Sequence, residues 1–272
     1  MTNNELTVHP LDQAVALKAL DQGRWQGTTS QAYANMVGPF GGTTGATLLQ
    51  GVLSHEELLG EPVSLTVNFA APVADGNFEV VARPLRTNRN SQHWWAEMVQ
   101  DGQVVAFATV VTARRRDTWE QTEAAFPDVP LASDLPIFSK KSVPPWTRNY
   151  DMRFVDGELM EAPDQDHPSR SRVWMRDQPP RPLDYVSLSA LCDAFFPRIY
   201  VRRPKLVPIG TVSLTTYFHT NGEQLASAGT EHVLGIARAN HFGKGFFDQS
   251  AEVWSRAGGL LATTHQVVYF KE

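Results

Sequence analysis

The tetrapeptide Val-Ser-Leu-Thr occurs twice in this chain, at positions 63–66 and 212–215, and in each copy a phenylalanine follows three residues on, Phe69 and Phe218. Ala96-Glu97-Met98-Val99 then parallels Ala251-Glu252-Val253-Trp254 in the same order. Each passes through a turn, Asp101-Gly102 in the first and Ala257-Gly258-Gly259 in the second, into a long apolar stretch. The separation is 149 residues between the first matches and 155 between the second, a six-residue difference that one loop accommodates. Ordered matches at a near-constant period mark a duplicated module. The chain is therefore expected to fold as two copies of one unit.

Both copies carry the same order of local signals. In the first, a short strand near 26–33 precedes a helix opened by Gly41-Gly42-Thr43-Thr44 and running to about 57. Its threonines can cap free N–H groups, and Leu48, Leu49, Val52 and Leu53 fall at helical spacing. Strands follow at about 63–70, 77–87, 93–100 and 103–114, joined by turn residues such as Asp75-Gly76. The second copy has short strands near 150–154 and 171–176 and a helix over 183–196 ended by Pro197. Its later strands are expected at 211–219, 226–237, 246–255 and 260–270. An apolar helix must be covered, and the sheet is the one partner large enough to wrap it, which makes each copy an α+β module.

Between the copies, Arg114-Arg115-Arg116 leads into a segment holding Pro127, Pro130, Pro136, Pro144 and Pro145. Prolines at that density do not continue a sheet, so an extended linker is expected. The division is then a first module over 1–116, a linker over 117–145 and a second module over 146–272. The triple arginine reads as an exposed strand end or as a phosphate contact.

Lys and Arg total 24 against 29 Asp and Glu, a net charge of −5, which argues against a general nucleic-acid binder while leaving room for a local basic pocket. Cys192 is the only cysteine, so a disulfide framework and a cysteine-rich zinc site are excluded. The start, Met1-Thr-Asn-Asn-Glu-Leu6, has neither a basic nor an apolar leader region, and the longest strongly apolar stretch, 104–111, is too short to span a bilayer. A soluble cytoplasmic protein is expected.

Several catalytic signatures are absent. There is no Gly-x-Ser-x-Gly elbow. The glycine-rich segment from Gly38 to Gly45 lacks the Gly-Lys-Ser/Thr ending of a phosphate loop, and Phe242-Gly-Lys-Gly245 reads as a strand turn. The histidines at 9, 55, 93, 167, 219, 232, 241 and 265 form no His-x-x-x-His pair, so no metal site is expected. Three polar residues in apolar surroundings remain. Asp193 stands in Leu191-Cys192-Asp193-Ala194-Phe195-Phe196, as an exposed or ion-paired helix position or as a buried carboxylate. Gln266 interrupts the last strand, facing either solvent or the interior, where two donors and an acceptor would need partners. Thr211 begins the strand after the helix and means little alone.

A helix wrapped by a mainly antiparallel sheet looks like the hotdog fold, and two in tandem look like a double hotdog. The order of helix Asp, strand-start Thr and final-strand Gln resembles the bacterial acyl-CoA thioesterase II family of double-hotdog enzymes. In the first module the resemblance rests on Gly41-Gly42, on the segment from Val63 to Pro72, and on the strand pair around Asp101-Gly102. In the second it rests on the segment from Leu188 to Phe196, on Gly210 to His219 with its Phe-His ending, and on Leu261 to Gln266. The resemblance implies hydrolysis of an acyl-CoA by a water that Asp193, Thr211 and Gln266 position, a place in fatty acid metabolism, and no cofactor beyond the coenzyme A of the substrate. The repeat puts Gln266 opposite Val110 and Thr211 opposite Pro62, so one site per chain is expected, in the second module.

Backbone N–H groups near a helix start, with Gly41 and Gly42 from the first module, are the expected oxyanion donors. Met36, Phe40, Phe195, Phe196 and Trp254 are candidates to line an acyl tunnel, or are plain core. Arg86, Arg89, Arg114, Arg115, Arg202, Arg203 and Lys205 are candidate cations for the CoA phosphates. Two departures, Gln178-Pro-Pro-Arg-Pro182 and the aromatic segment from Asn88 to Trp95, are expected to reshape the tunnel. Exposed sheet edges suggest a homo-oligomer. Two other readings stay open. One is a non-catalytic acyl- or acyl-CoA-binding protein on the same fold. The other is a hotdog enoyl-CoA hydratase, weakened because the Asp-x-Asn-Pro-x-His motif of that resemblance is missing.

Overall fold

The two Val-Ser-Leu-Thr segments lie side by side in neighbouring antiparallel strands, with Ser64 facing Tyr217, Thr66 facing Thr215 and Asn68 facing Ser213. Thr66 and Thr215 occupy the same position of the two copies, so a local two-fold axis passes between them, marked by a 3.1 Å hydrogen bond between their hydroxyls. Both segments are rich in β-branched residues, which pack well on a pleated surface. The repeat read in the sequence is thus the seam along which the halves join.

The computed structural model describes residues 8–139, 143–159, 168–203 and 205–272; the opening hexapeptide and His167 lie outside the described residues. The first half contains α1 (Pro10–Ala14), β1 (Lys18–Asp21), β2 (Arg24–Thr28), α2 (Gly41–Leu53), β3 (Glu61–Phe69), β4 (Asn77–Thr87), β5 (Ser91–Gln100) and β6 (Gln103–Ala113). The second contains β7 (Tyr150–Asp156), β8 (Ser171–Asp177), α3 (Tyr185–Leu191), α4 (Arg198–Arg202), β9 (Ile209–Phe218), α5 (Gly222–Ala228), β10 (Val233–Arg238), β11 (Phe242–Gly243), β12 (Phe246–Trp254) and β13 (Leu260–Phe270). One sheet runs β1-β2-β4-β5-β6-β3-β9-β13-β12-β10-β8-β7, with β11 paired to β12. Its pairings are antiparallel on both sides of the seam.

Inside the curved sheet, α2 and α3 lie against each other. Leu48, Leu49 and Val52 of α2 and Leu188 and Ala190 of α3 are fully buried, in one core with inward strand residues such as Val80, Ala108 and Val253. Each fully buried aliphatic side chain contributes about 2 kcal/mol relative to exposure. The arrangement is the expected α+β double hotdog. Among the described residues no helix is long and apolar enough to cross a membrane.

Four local expectations are corrected. α2 stops at Leu53, because the ring of His55, buried against Trp25 and Trp94, accepts the Glu57 N–H and ends the helical ladder. α3 stops at Leu191, and Asp193 follows it in a tight turn closed by the Asp193 N–H to the Ala190 carbonyl at 3.1 Å. The strand expected from 226 begins at Val233, because Asn221 and Gln224 form a capping box that starts α5 instead. Thr43 does not cap an N–H group: its hydroxyl donates to the Phe40 carbonyl at 2.7 Å. The proline-rich segment is more than a spacer, since Phe126, Val129, Ala132 and Leu135 cover Trp174, Leu234 and Trp254 on the outer face of the sheet. Arg115, in the middle of the arginine run, donates to the Pro62 and Phe218 carbonyls, one from each half, and so fastens the seam.

Candidate active site

The side chain of Asp193, just past the end of α3, reaches two elements from opposite directions. Gln266, on β13 and only 3% exposed, donates its amide to Oδ1 at 2.7 Å. From the other half of the molecule, the N–H of Gly42 in the first turn of α2 is directed at the same carboxylate. Burial dominates the result, pushing the carboxyl up to about 7 against the pull of these two donors. A carboxylate needs charge-stabilising donors to persist in such a place, and a group that titrates near neutrality takes and returns a proton readily.

Two glycines permit this approach. A methyl group on Gly41 would lie 2.8 Å from Asp193 Oδ2. One on Gly42 would lie 2.6 Å from the Ala190 carbonyl of α3 and 2.5 Å from the Phe40 ring. Any larger residue at 42 forces the two helices apart. Phe40, just ahead of them, stacks on Trp146 with ring centroids 4.4 Å apart, so the start of α2 is held against the second half.

The carboxylate opens on a cavity of about 400 Å³, lined by Met36, Phe40, Gly41, Trp146, Asp193, Phe195, Phe196, Tyr200, Thr211, Gln249 and Gln266 among others. Nearly every residue singled out in the sequence is here. Thr211 sits opposite Val268 in the register and faces the same side as Gln266. Phe40, Phe195 and Phe196 are buried walls, and Met36, 57% exposed, stands at the rim. Gly42 lies behind the wall and acts through its backbone. Trp254 is elsewhere, since strand alternation turns it to the outer face against Phe126.

The two departures do not shape this cavity. Arg181 of the 178–182 segment is paired with Asp12 and Asp184. Of the aromatic pair, Trp94 packs inward on His55, and Trp95 stacks on Phe107. The cations divide in the same way. Arg202, Arg203 and Lys205 lie between two cavity residues, Tyr200 and Leu206. Arg86 and Arg89 lie at the β4–β5 turn, and Arg114 and Arg115 border a separate surface groove at the opposite ends of β9 and β13. Cys192, beside Asp193, is fully buried; burial pushes its thiol well up, so it is no nucleophile.

Two residues went unnoticed in the sequence. Gln249 of β12 lies directly across from Gln266, and Arg198 opens α4 beneath it. The alternation Phe247, Gln249, Ala251, Val253 was the available signal, with one carboxamide in an inward apolar row. The register also exposes how the copies differ. Trp94, Val110 and Leu65 form a cross-strand row in the first half, and Gln249, Gln266 and Leu214 form its twin in the second.

Residues 121–270 match a family model described as the acyl-CoA thioesterase C-terminal domain, and residues 30–113 match one described as the acyl-CoA thioesterase N-terminal domain. A conserved protein of unknown function with a hot dog fold from Alicyclobacillus acidocaldarius is 48% identical, with TM-score 0.94 over 98% of this chain and 99% of that one. Two more distant structures share the fold. A putative thioesterase II from Thermobifida fusca is 16% identical, with TM-score 0.84 over 98% of this chain and 99% of that one. The acyl-CoA thioesterase II TesB2 from Mycobacterium marinum is 18% identical, with TM-score 0.77 over 96% of this chain and 98% of that one. A search of curated protein sequences returns no match.

Proposed function

The chain belongs to the acyl-CoA thioesterase family, and from that premise we propose that it hydrolyses an acyl-CoA to the free acid and coenzyme A at Asp193. The observation that carries the reading is the Gln266 to Asp193 contact at 2.7 Å on the wall of an apolar cavity. Asp193 accepts a proton from water as the water oxygen attacks the thioester carbon. Gln266, whose amide nitrogen is committed to the carboxylate, presents its carbonyl oxygen to that water, and the Thr211 hydroxyl supplies a second contact. When the carbon–sulfur bond breaks, the proton passes from Asp193 to the departing thiolate. The acyl group lies among Phe40, Phe195 and Phe196, and Arg202, Arg203 and Lys205 are the cations best placed for the CoA phosphates. No metal or further cofactor takes part in this scheme.

Free-thiol release from a panel of acyl-CoAs, short to long and including aromatic ones, tests the reading. Wild type releases thiol, while Asp193→Asn and Gln266→Leu fall by roughly a hundredfold or more, the usual cost of losing a general base or an oriented donor. Equal release by wild type and Asp193→Asn contradicts it.

A further inference from the structure

Arg198 is 0% exposed, yet among the described residues no carboxylate pairs with it. Burial lowers its pKa to about 9, which leaves it a cation at neutral pH. Its Nε donates to the Phe196 carbonyl and to Gln249 Oε1, both at 3.0 Å, and one terminal nitrogen donates to the Ser169 carbonyl at 2.9 Å and the Ser171 hydroxyl at 2.8 Å. An unpaired buried cation is a cost to stability, so packing alone does not explain it.

What the guanidinium does is orient Gln249. Arginine has donors only, so the carboxamide must turn its oxygen toward Arg198 and its NH2 away. Gln249 is 3% exposed, and its amide nitrogen has no hydrogen-bond partner among the described residues. The residue lines the cavity next to Gln266, its direct cross-strand neighbour. The fold does not require a carboxamide here, because the twin position in the first half is Trp94. The reaction does require a donor. The tetrahedral intermediate carries an oxyanion that fixed donors must meet.

Resting on the thioesterase reading above, we propose that Gln249 donates to the thioester carbonyl oxygen and stabilises the oxyanion, and that Arg198 is the positioning residue that aims it. Asp193, Thr211 and Gln266 then serve the water, and Gln249 serves the other end of the reacting bond.

The test compares wild type, Asp193→Asn, Gln249→Met and Arg198→Lys in thiol release from acyl-CoA. Gln249→Met keeps the side-chain volume and removes the donor; its kcat falls by about a hundredfold while KM stays within about threefold. Arg198→Lys lowers kcat by about tenfold, and adding it to Gln249→Met costs no more, since the two act as a unit. A second readout does not depend on turnover or on the arginine variant folding. With carbonyl-13C-labelled acyl-CoA bound to Asp193→Asn, the infrared carbonyl band sits lower than in buffer, and in Asp193→Asn/Gln249→Met it returns toward the buffer position. Undiminished kcat in Gln249→Met, with Asp193→Asn still inactive, overturns the assignment of Gln249 and leaves the thioesterase reading standing. Equal thiol release by wild type and Asp193→Asn overturns both.

Discussion

A carboxyl group raised to about 7 by burial has consequences for rate and for stability that run in opposite directions. As a general base Asp193 works only when ionised, so kcat/KM rises with pH through about 7 and levels off above it, a limb reporting the free enzyme. Asp193→Asn removes that limb along with the activity. For stability the sign reverses. The folded state favours the protonated acid, an advantage fully present below the ordinary value of 3.8 and lost as pH climbs through about 7. Asp193→Asn has no charge to bury, so it melts several degrees above wild type at pH 8, and the gap narrows at pH 5. Thermal melts at the two pH values check this, and an unchanged gap contradicts it.

The start of α2 does two jobs that substitution separates. Gly42→Ala drives a methyl group at the Ala190 carbonyl, 2.6 Å away, and backbone does not yield. It is expected to lower stability by about 1–3 kcal/mol, read in a denaturant melt. Gly41→Ala meets the Asp193 carboxylate at 2.8 Å instead, and a side chain does yield. It leaves the melting point nearly unchanged and lowers kcat by tenfold or more, because a displaced base misses its water. The long strands were legible, since period-two alternation is local, while the strand expected near 26–33 is observed over Arg24–Thr28 and the one expected from 226 begins at Val233. The sequence disclosed the end of α3 badly. Leu191-Cys-Asp-Ala-Phe-Phe196 reads as helix by pattern, and the turn at Asp193 accompanies contacts to Gln266, 73 residues on, and to Gly42 in the other half. α5 was legible through Asn221 and Gln224 but was hidden by the apolar residues that follow them.

Across the whole molecule, duplication supplied two equivalent frames that have diverged in one row of side chains. The seam at Thr66 and Thr215 keeps the frames in register, so the difference between Trp94-Val110 and Gln249-Gln266 is a difference in chemistry alone. One site per chain is therefore predicted. A thioether analogue of acyl-CoA, which cannot be hydrolysed, is expected to bind with a stoichiometry of one per chain by titration calorimetry, and two equivalent sites contradict this. The difference between the two rows was legible in the sequence from the repeat offset, which already set Gln266 against Val110. The sharing of the site was less so. That Gly41, Gly42 and Phe40 of one half close over the carboxylate of the other depends on how α2 packs on α3, which no local pattern records.

Direct attack by water on the thioester carbon is best examined in a single turnover, with enzyme in excess over acyl-CoA in 18O-labelled water. Water activated by Asp193 places the label in the released carboxylic acid and leaves the protein unlabelled. Label recovered in the Asp193 carboxylate, with unlabelled acid released, would mean that Asp193 had itself been acylated, and the assignment of a general base would fall.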